Sequence, residues 1–283
     1  MKYNVALAVV WNNLCFEEVI SSIASGLREL GHDVTTEKKY LPDATNIVVG
    51  FYLQFQPCAK GYKHLALPPM GSTIYQLEPY SAETVRAGHI PVHAMKPYKV
   101  WDYSRYNVSR LKEHDITAVY VAAGMYPDMT PIPGKLPCAP ATQDIDVLFY
   151  GGMHARRLPI FAELRARGLN VVTVSGIYNQ ERAALIARAK VILNLHGHND
   201  FHSQESIRLA YLLASKKAVV TEVNAGDDTD GFENSALCVP YGSLVDACVY
   251  LVKNDTRRRE LEAAGYKYMR TRQMKDILKN ALA

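Results

Sequence analysis

The sequence predicts an α/β protein with two doubly wound, mostly parallel sheets. Runs of β-branched residues alternate with amphipathic helical segments, which is typical of parallel sheets. A proline-rich stretch without periodicity, residues 127–144, interrupts this alternation, which then starts again. A chain of 283 residues is also long enough for two domains. We therefore predict domains over residues 1–140 and 141–283, with the last helix able to pack back on the N-terminal domain.

The first domain is predicted from its strand and helix patterns in chain order. The segment after the first strand carries apolar residues at three- and four-residue spacing, which predicts a helix. Gly31 follows this segment and is the predicted C-terminal cap. A second helix is expected from about Ser104. The predicted strands are "YNVALAVVW", "HDVTTEKK", "ATNIVVGFYL", "GSTIYQLEPY" and "ITAVYVAAG".

The second domain repeats the alternation. We expect Asn179 to be the N-cap of one helix, and Ser243 with Asp246 to form a capping box on another. The predicted strands are "IDVLFYGG", "LNVVTVSG", "KVILNLHG" and "KAVVTE". The predicted helices are "RRLPIFAELRARG", "NQERAALIARA", "SQESIRLAYLLAS", "GSLVDACVYLVKND" and the remainder of the chain after it.

Composition narrows the class of protein. Apolar residues make up 48% and charged residues 21%, as in an ordinary globular protein. The net charge of +4 suits anionic ligands but does not by itself indicate nucleic acid. Five scattered cysteines without C-x-x-C argue against a disulfide framework and a zinc site. The N-terminal apolar run is too short to span a bilayer and lacks a cleavage site. We expect a cytoplasmic protein with no membrane span.

A glycine pair marks the first candidate ligand site, because open parallel sheets bind ligands beyond the carboxyl ends of their strands. Gly151 and Gly152 follow a strand and precede a helix, so backbone amides there can approach an anion closely. Arg156 and Arg157 have the fork geometry that suits phosphate oxygens. The alternative is a glycine turn followed by two solvated arginines.

Two further strand ends carry unusual residues. After "VVTVS", Gly176 and Tyr178 offer a turn and an aromatic ring for stacking on a base, unless the tyrosine packs on the core. After "VILNL", the loop contains His196 and His198, but the histidine spacing fits no metal site, and we predict none. Contacts to a sugar or a phosphate are the better interpretation.

The helix after this histidine loop begins with polar residues. Ser203 and Ser206 lie where a helix N-terminus offers free amides. Glu205 can accept hydrogen bonds from a pair of ribose hydroxyls, and Arg208 either binds an anion or pairs with Glu205. Together the three strand ends indicate a pocket for a nucleotide diphosphate.

Four segments carry a resemblance to known proteins: "DIDVLFYGG", "LIARAKVILNLH", "ESIRLAYLLASKKAVVTE" and "VPYGSLVDACVYLV". They resemble bacterial and phage glycosyltransferase-like proteins related to the spore-maturation glycosyltransferase group. The resemblance implies the GT-B fold, in which two Rossmann-like domains face each other across a cleft, with the nucleotide-sugar donor on the C-terminal domain and the acceptor on the N-terminal one. It also implies no metal and no cofactor beyond the nucleotide sugar, most simply a UDP-sugar, because protein cations and helix dipoles stabilise the leaving diphosphate.

Two features depart from the family pattern. Many retaining enzymes of this fold carry two glutamates eight positions apart, whereas here Glu205 stands in the first helical turn and Tyr211 lies roughly where the second glutamate would fall. The choice between retention and inversion stays open. The motif "DDTD" at 227–230 is similar to the metal-binding D-x-D of the other glycosyltransferase fold, but it lies in a polar loop and is predicted to bind no metal.

An inverting transfer needs a base that takes the proton of the acceptor hydroxyl. Glu78 in "YQLEPY" and Asp102 in "VWDYS" follow predicted strands and have aromatic neighbours, so both are candidate catalytic residues. The alternatives are a turn carboxylate and a helix N-cap, and Glu17 or Glu18 are further candidates for the base.

The acceptor is not specified by the sequence. A glycan, a small molecule and a hydroxymethylated base of phage DNA all fit, and "MKPYKVWDYSRYNVSR" interleaves aromatic and basic residues as nucleic-acid surfaces do. Two other functions stay open. One is a non-catalytic binding or scaffold protein of the same fold, and the other is a nucleotide-sugar epimerase.

Overall fold

The computed structural model describes residues 1–10, 14–56, 63–127, 129, 142–224 and 226–283. The chain forms two compact units, the first comprising Met1–Tyr126 and Arg272–Ala283 and the second Pro127–Thr271. Most of the proline-rich stretch, including the predicted boundary between residues 140 and 141, lies outside the described residues.

The first unit is built on a six-stranded parallel sheet with the strand order β3-β1-β4-β6-β7-β8. Two short strands, β2 and β5, form a separate antiparallel pair. The strands are β1 (Lys2–Leu7), β2 (Val9–Val10), β3 (Asp33–Thr35), β4 (Thr45–Val49), β5 (Lys63–His64), β6 (Thr73–Gln76), β7 (Lys99–Asp102) and β8 (Ala118–Tyr120). Buried aliphatic side chains fill the interior because the strands are covered by helices.

The helices of this unit begin and end near the expected positions. After α1, the amide of Gly31 donates to the carbonyl of Arg28, which confirms the predicted C-terminal cap. Before α4, the hydroxyl of Ser104 accepts from the amide of Asn107 at 3.3 Å, which confirms the predicted start. The helices are α1 (Glu17–Glu29), α2 (Ala82–Arg86), α3 (Val92–Met95) and α4 (Arg105–Leu111).

The second unit contains a five-stranded parallel sheet with the order β10-β9-β11-β12-β13. Its strands are β9 (Ile145–Tyr150), β10 (Val171–Val174), β11 (Ala189–Asn194), β12 (Ala218–Glu222) and β13 (Leu237–Val239). Its helices are α5 (Leu158–Ala166), α6 (Asn179–Arg188), α7 (Ser206–Ala214), α8 (Leu244–Lys253) and α9 (Asp255–Arg270). The two parallel sheets confirm the predicted α/β class.

Two predicted helix caps are wrong. Asn179 is the first residue of α6, with a φ of +50°, and Tyr178 occupies the cap position. Ser243 precedes α8 but its side chain makes no capping hydrogen bond. The chain enters α8 through a 3-10 turn over Tyr241–Ser243, so Ser243 has helical rather than extended dihedral angles and its hydroxyl is not aimed at the first free amides.

The last helix, α10 (Met274–Leu282), belongs to the first unit and packs on α1. The amide of Met125 donates to the carbonyl of Arg272, and the amide of Met274 donates back to Met125. The close approach depends on a missing side chain, because a Cβ on Gly26 would lie 2.8 Å from a methyl carbon of Leu278. Within the described part of the chain, no helix is long and apolar enough to cross a membrane.

Candidate functional site

The candidate site lies in the second unit, where the carboxyl ends of β9, β11 and β12 meet the start of α7. These three strands are neighbours in one parallel sheet, so the loops that follow them lie side by side. The predicted residues after β9 and those after β11 are therefore brought together. Gly176 and Tyr178 follow β10, the strand next to β9, and the amide of Gly151 donates to the carbonyl of Val174 at 3.0 Å.

Arg156 is held by protein acceptors. Its two terminal nitrogens donate to the two carboxylate oxygens of Glu222, whose side chain is completely buried, and its Nε donates to Asn199. The guanidinium also lies 4.2 Å from the ring centre of Tyr241. A buried, bidentate pair of this kind orders the loop after β9.

Arg157 is more deeply buried than Arg156. It is 5% exposed and donates to the carbonyls of Gly152, Leu195 and His196 at 2.6, 2.7 and 3.3 Å. Burial lowers the pKa of Arg157 to about 10, so the group is still charged at neutral pH. Its contacts tie the loop after β9 to the loop after β11.

Arg208 differs from these two arginines. It is partly exposed, and among the hydrogen bonds of the described residues it makes one, from Nη1 to the side-chain oxygen of Asn194 at 2.9 Å. Its guanidinium lies 5.1 Å from the ring centre of Tyr150. Its Nη2 borders Gly151, where a Cβ would lie 3.0 Å away and where φ is +145°. The donors of Arg208 are therefore available to a ligand beside the glycine loop.

Glu205 stands at the N-cap position of α7 without a capping hydrogen bond, and both of its carboxylate oxygens have partners. Oε2 accepts from the side-chain amide of Asn194 at 2.8 Å, and Oε1 lies 3.3 Å from Nδ1 of His196. The side chain is 23% exposed. Burial acts to raise the pKa of Glu205, but His196, Arg208 and Asn194 together hold that pKa well below its ordinary value. Glu205 is thus an ionised acceptor whose side chain is mostly buried.

His196 lies between two carboxylates and is completely buried. Its Nε2 is 3.5 Å from Oδ2 of Asp227, on the opposite side of the ring from Glu205. Burial acts to lower the pKa of His196, but the two carboxylates more than offset it and raise the pKa to about 10. Asp227 also contacts Nδ1 of His202 at 2.8 Å. The first aspartate of "DDTD" therefore interacts with histidines in this site.

The other predicted residues line the same loops. His198 is exposed, and its ring lies 5.2 Å from the ring of His154 and 5.0 Å from that of Phe201. Ser203 is buried and pairs with Asp228 through a backbone bridge. Ser206 is the first residue of α7, and its amide donates to the carbonyl of Gln204, so the prediction of a free amide at Ser206 is wrong.

Several functional candidates were not identified from the sequence. Asn194 links Glu205, Arg208 and Thr221, while Gln204 accepts from the Thr221 hydroxyl and donates to the carbonyl of Glu222. The signal that could have found them is a polar residue at the end of a β-branched run, as in "VILN" and "VVTE". Within the described residues, no three histidine, cysteine or acidic side chains are grouped to hold a metal ion.

In the first unit, the two candidate catalytic carboxylates have different surroundings. Asp102 is completely buried, and it accepts from the amide of Ser104 at 2.9 Å and from the side chain of Asn107 at 3.3 Å. Glu78 is half-buried and hydrogen-bonded to Tyr52, and burial raises the pKa of Glu78 to about 7. Asn107 also donates to the carbonyl of Glu78 at 2.9 Å. Asp102 thereby orients the side chain that holds the Glu78 backbone.

Comparison with known sequences gives distant relatives. No protein-family profile matches the chain. An uncharacterized protein of Acanthamoeba polyphaga mimivirus is 22% identical over 262 residues, which cover 88% of this chain and 79% of the viral protein. Another uncharacterized mimivirus protein is 26% identical over 160 residues, which cover 55% of this chain and 54% of its own length.

Comparison with solved structures is more informative. T4 phage BGT, in complex with its UDP-glucose substrate, aligns with a TM-score of 0.61 and 15% identity over 100% of this chain and 98% of its own. WaaG, a glycosyltransferase of lipopolysaccharide biosynthesis, aligns with a TM-score of 0.59 and 12% identity over 99% of this chain and 98% of its own. An alpha-glucosyltransferase in complex with UDP-glucose and DNA aligns with a TM-score of 0.60 and 8% identity over 100% of this chain and 98% of its own. The chain therefore has the GT-B fold of glycosyltransferases.

Proposed function

We propose that this protein is a glycosyltransferase that uses a nucleotide-diphosphate sugar. The observation that carries the proposal is the pair Glu205 and Arg208 at the start of α7, both held by Asn194, with Arg208 beside Gly151. A carboxylate and an arginine with available donors at a helix N-terminus suit a ribose and a diphosphate. One fold can host many functions, so it is this site and not the fold that supports a transferase.

The donor contacts follow from this arrangement. Arg208 and the positive end of the α7 helix dipole neutralise the charge that develops on the diphosphate as the bond to the sugar breaks. Glu205 accepts from the ribose hydroxyls, and Tyr178 stacks on the base. A uracil base is proposed because solved structures of the same fold bind UDP-glucose. Protein cations take the role of a metal, so the transfer is proposed to be metal-independent.

On the acceptor side, Glu78 is the proposed base. In an inverting transfer the acceptor oxygen attacks the anomeric carbon, its proton passes to the Glu78 carboxylate, and the electron pair of the breaking bond leaves with the diphosphate. A carboxylate with a pKa of about 7 is matched to this task at neutral pH. Asp102 is assigned a supporting role through Asn107.

The proposed acceptor is a hydroxyl group on a glycan, a small molecule or a hydroxymethylated DNA base. The DNA base has specific support, since an alpha-glucosyltransferase of this fold was solved with a DNA containing a HMU base. A closer kinship with the spore-maturation group is proposed from the sequence resemblance alone. Incubation with UDP-glucose and DNA that contains hydroxymethylated bases tests this acceptor, and absence of labelled sugar on the DNA would exclude it.

The first test is a thermal-shift series with UDP, GDP, ADP, CDP and TDP, with and without EDTA. A ligand at about a hundred times its Kd adds about 2.7 kcal/mol to the free energy of unfolding. We expect stabilisation by UDP that persists in EDTA. Stabilisation that EDTA abolishes would contradict metal independence, and no stabilisation by any diphosphate would favour the scaffold alternative.

A substitution tests the assigned phosphate ligand. Arg208→Ala is expected to weaken UDP binding by about 1.5–3 kcal/mol, the usual range for a charge-assisted hydrogen bond. The matched control is Arg257→Ala, which removes an exposed arginine whose partner is Glu260 on the same helix. Calorimetry on both variants distinguishes a local contact from a general effect of charge, and unchanged UDP affinity in folded Arg208→Ala would remove Arg208 from the site.

A further inference from the structure

Two charged residues behind Glu205 take no part in the transfer described above. His196 and Asp227 both have completely buried side chains, yet together they carry a cation and an anion into the interior. Burying charges costs free energy unless they are paired. A histidine between two carboxylates at a proposed ligand site therefore calls for a functional explanation.

The two carboxylates beside His196 favour a doubly protonated ring. Nδ1 of His196 faces Oε1 of Glu205 at 3.3 Å, and Nε2 faces Oδ2 of Asp227 at 3.5 Å. A neutral imidazole would turn a nitrogen lone pair toward one of these oxygens, which is repulsive, whereas an imidazolium is attracted to both. The contact of Nε2 with Asp227 is an ion pair and not a hydrogen bond. The raised pKa of His196 agrees with this assignment.

The remaining charges around His196 contact its backbone. Glu222 accepts from its amide at 3.0 Å, and Arg156 and Arg157 donate to its carbonyl at 3.1 and 3.3 Å. These contacts fix the main chain, so the position of the ring depends on its two carboxylates. Asp227 is itself anchored by His202 and by the amide of Asn224 at 2.6 Å.

We propose that the Asp227–His196 pair positions Glu205 and so makes the site select ribonucleoside over 2′-deoxyribonucleoside diphosphates. His196 and Asn194 occupy one lone pair on each Glu205 oxygen, which leaves an ionised carboxylate in one orientation with acceptor capacity on both oxygens. Two adjacent hydroxyls match two adjacent oxygens, and a sugar without the 2′-hydroxyl leaves one of them unpaired. This inference rests on the proposed function.

The test compares binding of UDP, 2′-deoxyuridine diphosphate and inorganic pyrophosphate by calorimetry. The unmodified protein is expected to prefer UDP to its deoxy analogue by about tenfold or more, the value of one hydrogen bond to a charged group. His196→Asn and Asp227→Asn are expected to bring this ratio close to one while leaving pyrophosphate affinity unchanged. Asp246→Asn, which changes an exposed carboxylate paired with Arg167, is the matched control and keeps the ratio.

Coupling to Glu205 separates a positioning role from a general structural one. In Glu205→Gln the ratio of UDP affinity to 2′-deoxyuridine diphosphate affinity is expected to be low already. Adding His196→Asn to this variant lowers that ratio no further. Folded single variants that keep the unmodified ratio, or that lose UDP and pyrophosphate affinity together, would overturn the inference. Failure of the unmodified protein to bind any nucleoside diphosphate would instead overturn the proposed function, before any variant is compared.

A measurement on the unmodified protein keeps the inference testable if the variants do not fold. Nitrogen-15 NMR of the imidazole groups at pH 8 is expected to show both nitrogens of His196 protonated, unlike an ordinary histidine at that pH. A neutral tautomer of His196 would overturn the inference.

Discussion

Gly151 contributes to the site by having no side chain. Its φ of +145° is strained for any other residue, and a Cβ would lie 3.0 Å from Nη2 of Arg208. We expect Gly151→Ala to displace the guanidinium and to weaken UDP binding by about tenfold, a substantial part of one charge-assisted contact. Calorimetric titration with UDP measures the change.

Gly168→Ala is the matched control for this substitution. Gly168 also has a positive φ, of +80°, in the same unit, but a Cβ there would meet nothing within 4 Å. It should lower the free energy of unfolding by roughly 1 kcal/mol without changing UDP affinity. If both variants bind UDP like the unmodified protein, Arg208 does not depend on the space at Gly151.

Glu78 should impose a pH dependence on the transfer. Burial raises the pKa of Glu78 to about 7, and a base must be ionised to accept a proton. We expect kcat/KM to rise with pH, with a midpoint near 7, and to level off at higher pH. Glu78→Gln is expected to abolish this rise together with most of the activity. A rate profile between pH 5 and 9 measures it; a midpoint below 5 would contradict the assignment.

The same group affects stability with a defined sign. Its pKa is raised on folding, so Glu78 binds a proton more tightly in the native state than in the unfolded one. The contribution of Glu78 to the free energy of unfolding is fully present below pH 4.5 and is lost as the pH rises through about 7. Relative to the unmodified protein, Glu78→Gln should therefore gain stability between these pH values, as urea denaturation at pH 4.5 and pH 8 would show.

Sequence identified the loops of the site better than the roles of their side chains. The glycine pair, Glu205 and Arg208 are brought together because each follows or precedes a recognisable strand or helix. The partners of Arg156 and Arg157 could not be read from the sequence, since Glu222 and the carbonyls of residues 195 and 196 lie far away along the chain. Which arginine keeps donors for a ligand depends on those tertiary contacts.

Among the elements, strands were predicted more reliably than helix ends. Runs such as "IDVLFY" and "VILN" are buried on both faces of a parallel sheet, which selects β-branched and aromatic residues over their whole length. A cap depends instead on the dihedral angles of one residue. The path of the chain into α8 gave Ser243 the wrong angles, although its spacing from Asp246 was correct.

The packing of α10 on α1 reverses the usual effect of a glycine substitution. In most helices Gly→Ala is stabilising by roughly 0.5–1 kcal/mol. At Gly26 the new methyl group would lie 2.8 Å from Leu278 and 3.0 Å from Met274. We expect Gly26→Ala to lower the free energy of unfolding by roughly 1–3 kcal/mol, the usual cost of overpacking.

Ser21→Ala on the exposed face of α1 is the comparison for Gly26→Ala. It raises helix propensity without approaching α10, so it should be neutral or slightly stabilising. Urea denaturation of both variants gives the two free energies. Stabilisation by Gly26→Ala would show that α10 does not pack closely on α1.

At the scale of the whole molecule, the first unit is assembled from two distant parts of the chain. Arg272–Ala283 completes it after the entire second unit has intervened. A protein ending at Thr271 is expected to lose hydrogen-exchange protection in β1 and α1 while α7 and UDP binding are retained. Mass spectrometry of exchanged peptides measures both regions in one experiment, and equal loss in both would contradict independent units.

This arrangement has a consequence for the order of events during synthesis. The second unit is continuous, so it is able to fold as soon as its last helix leaves the ribosome. The surface of α1 around Gly26 must wait until residues 272–283 have been translated, with its apolar side chains exposed meanwhile. A chaperone, or a pause in elongation, would act on the part of the protein that was made first.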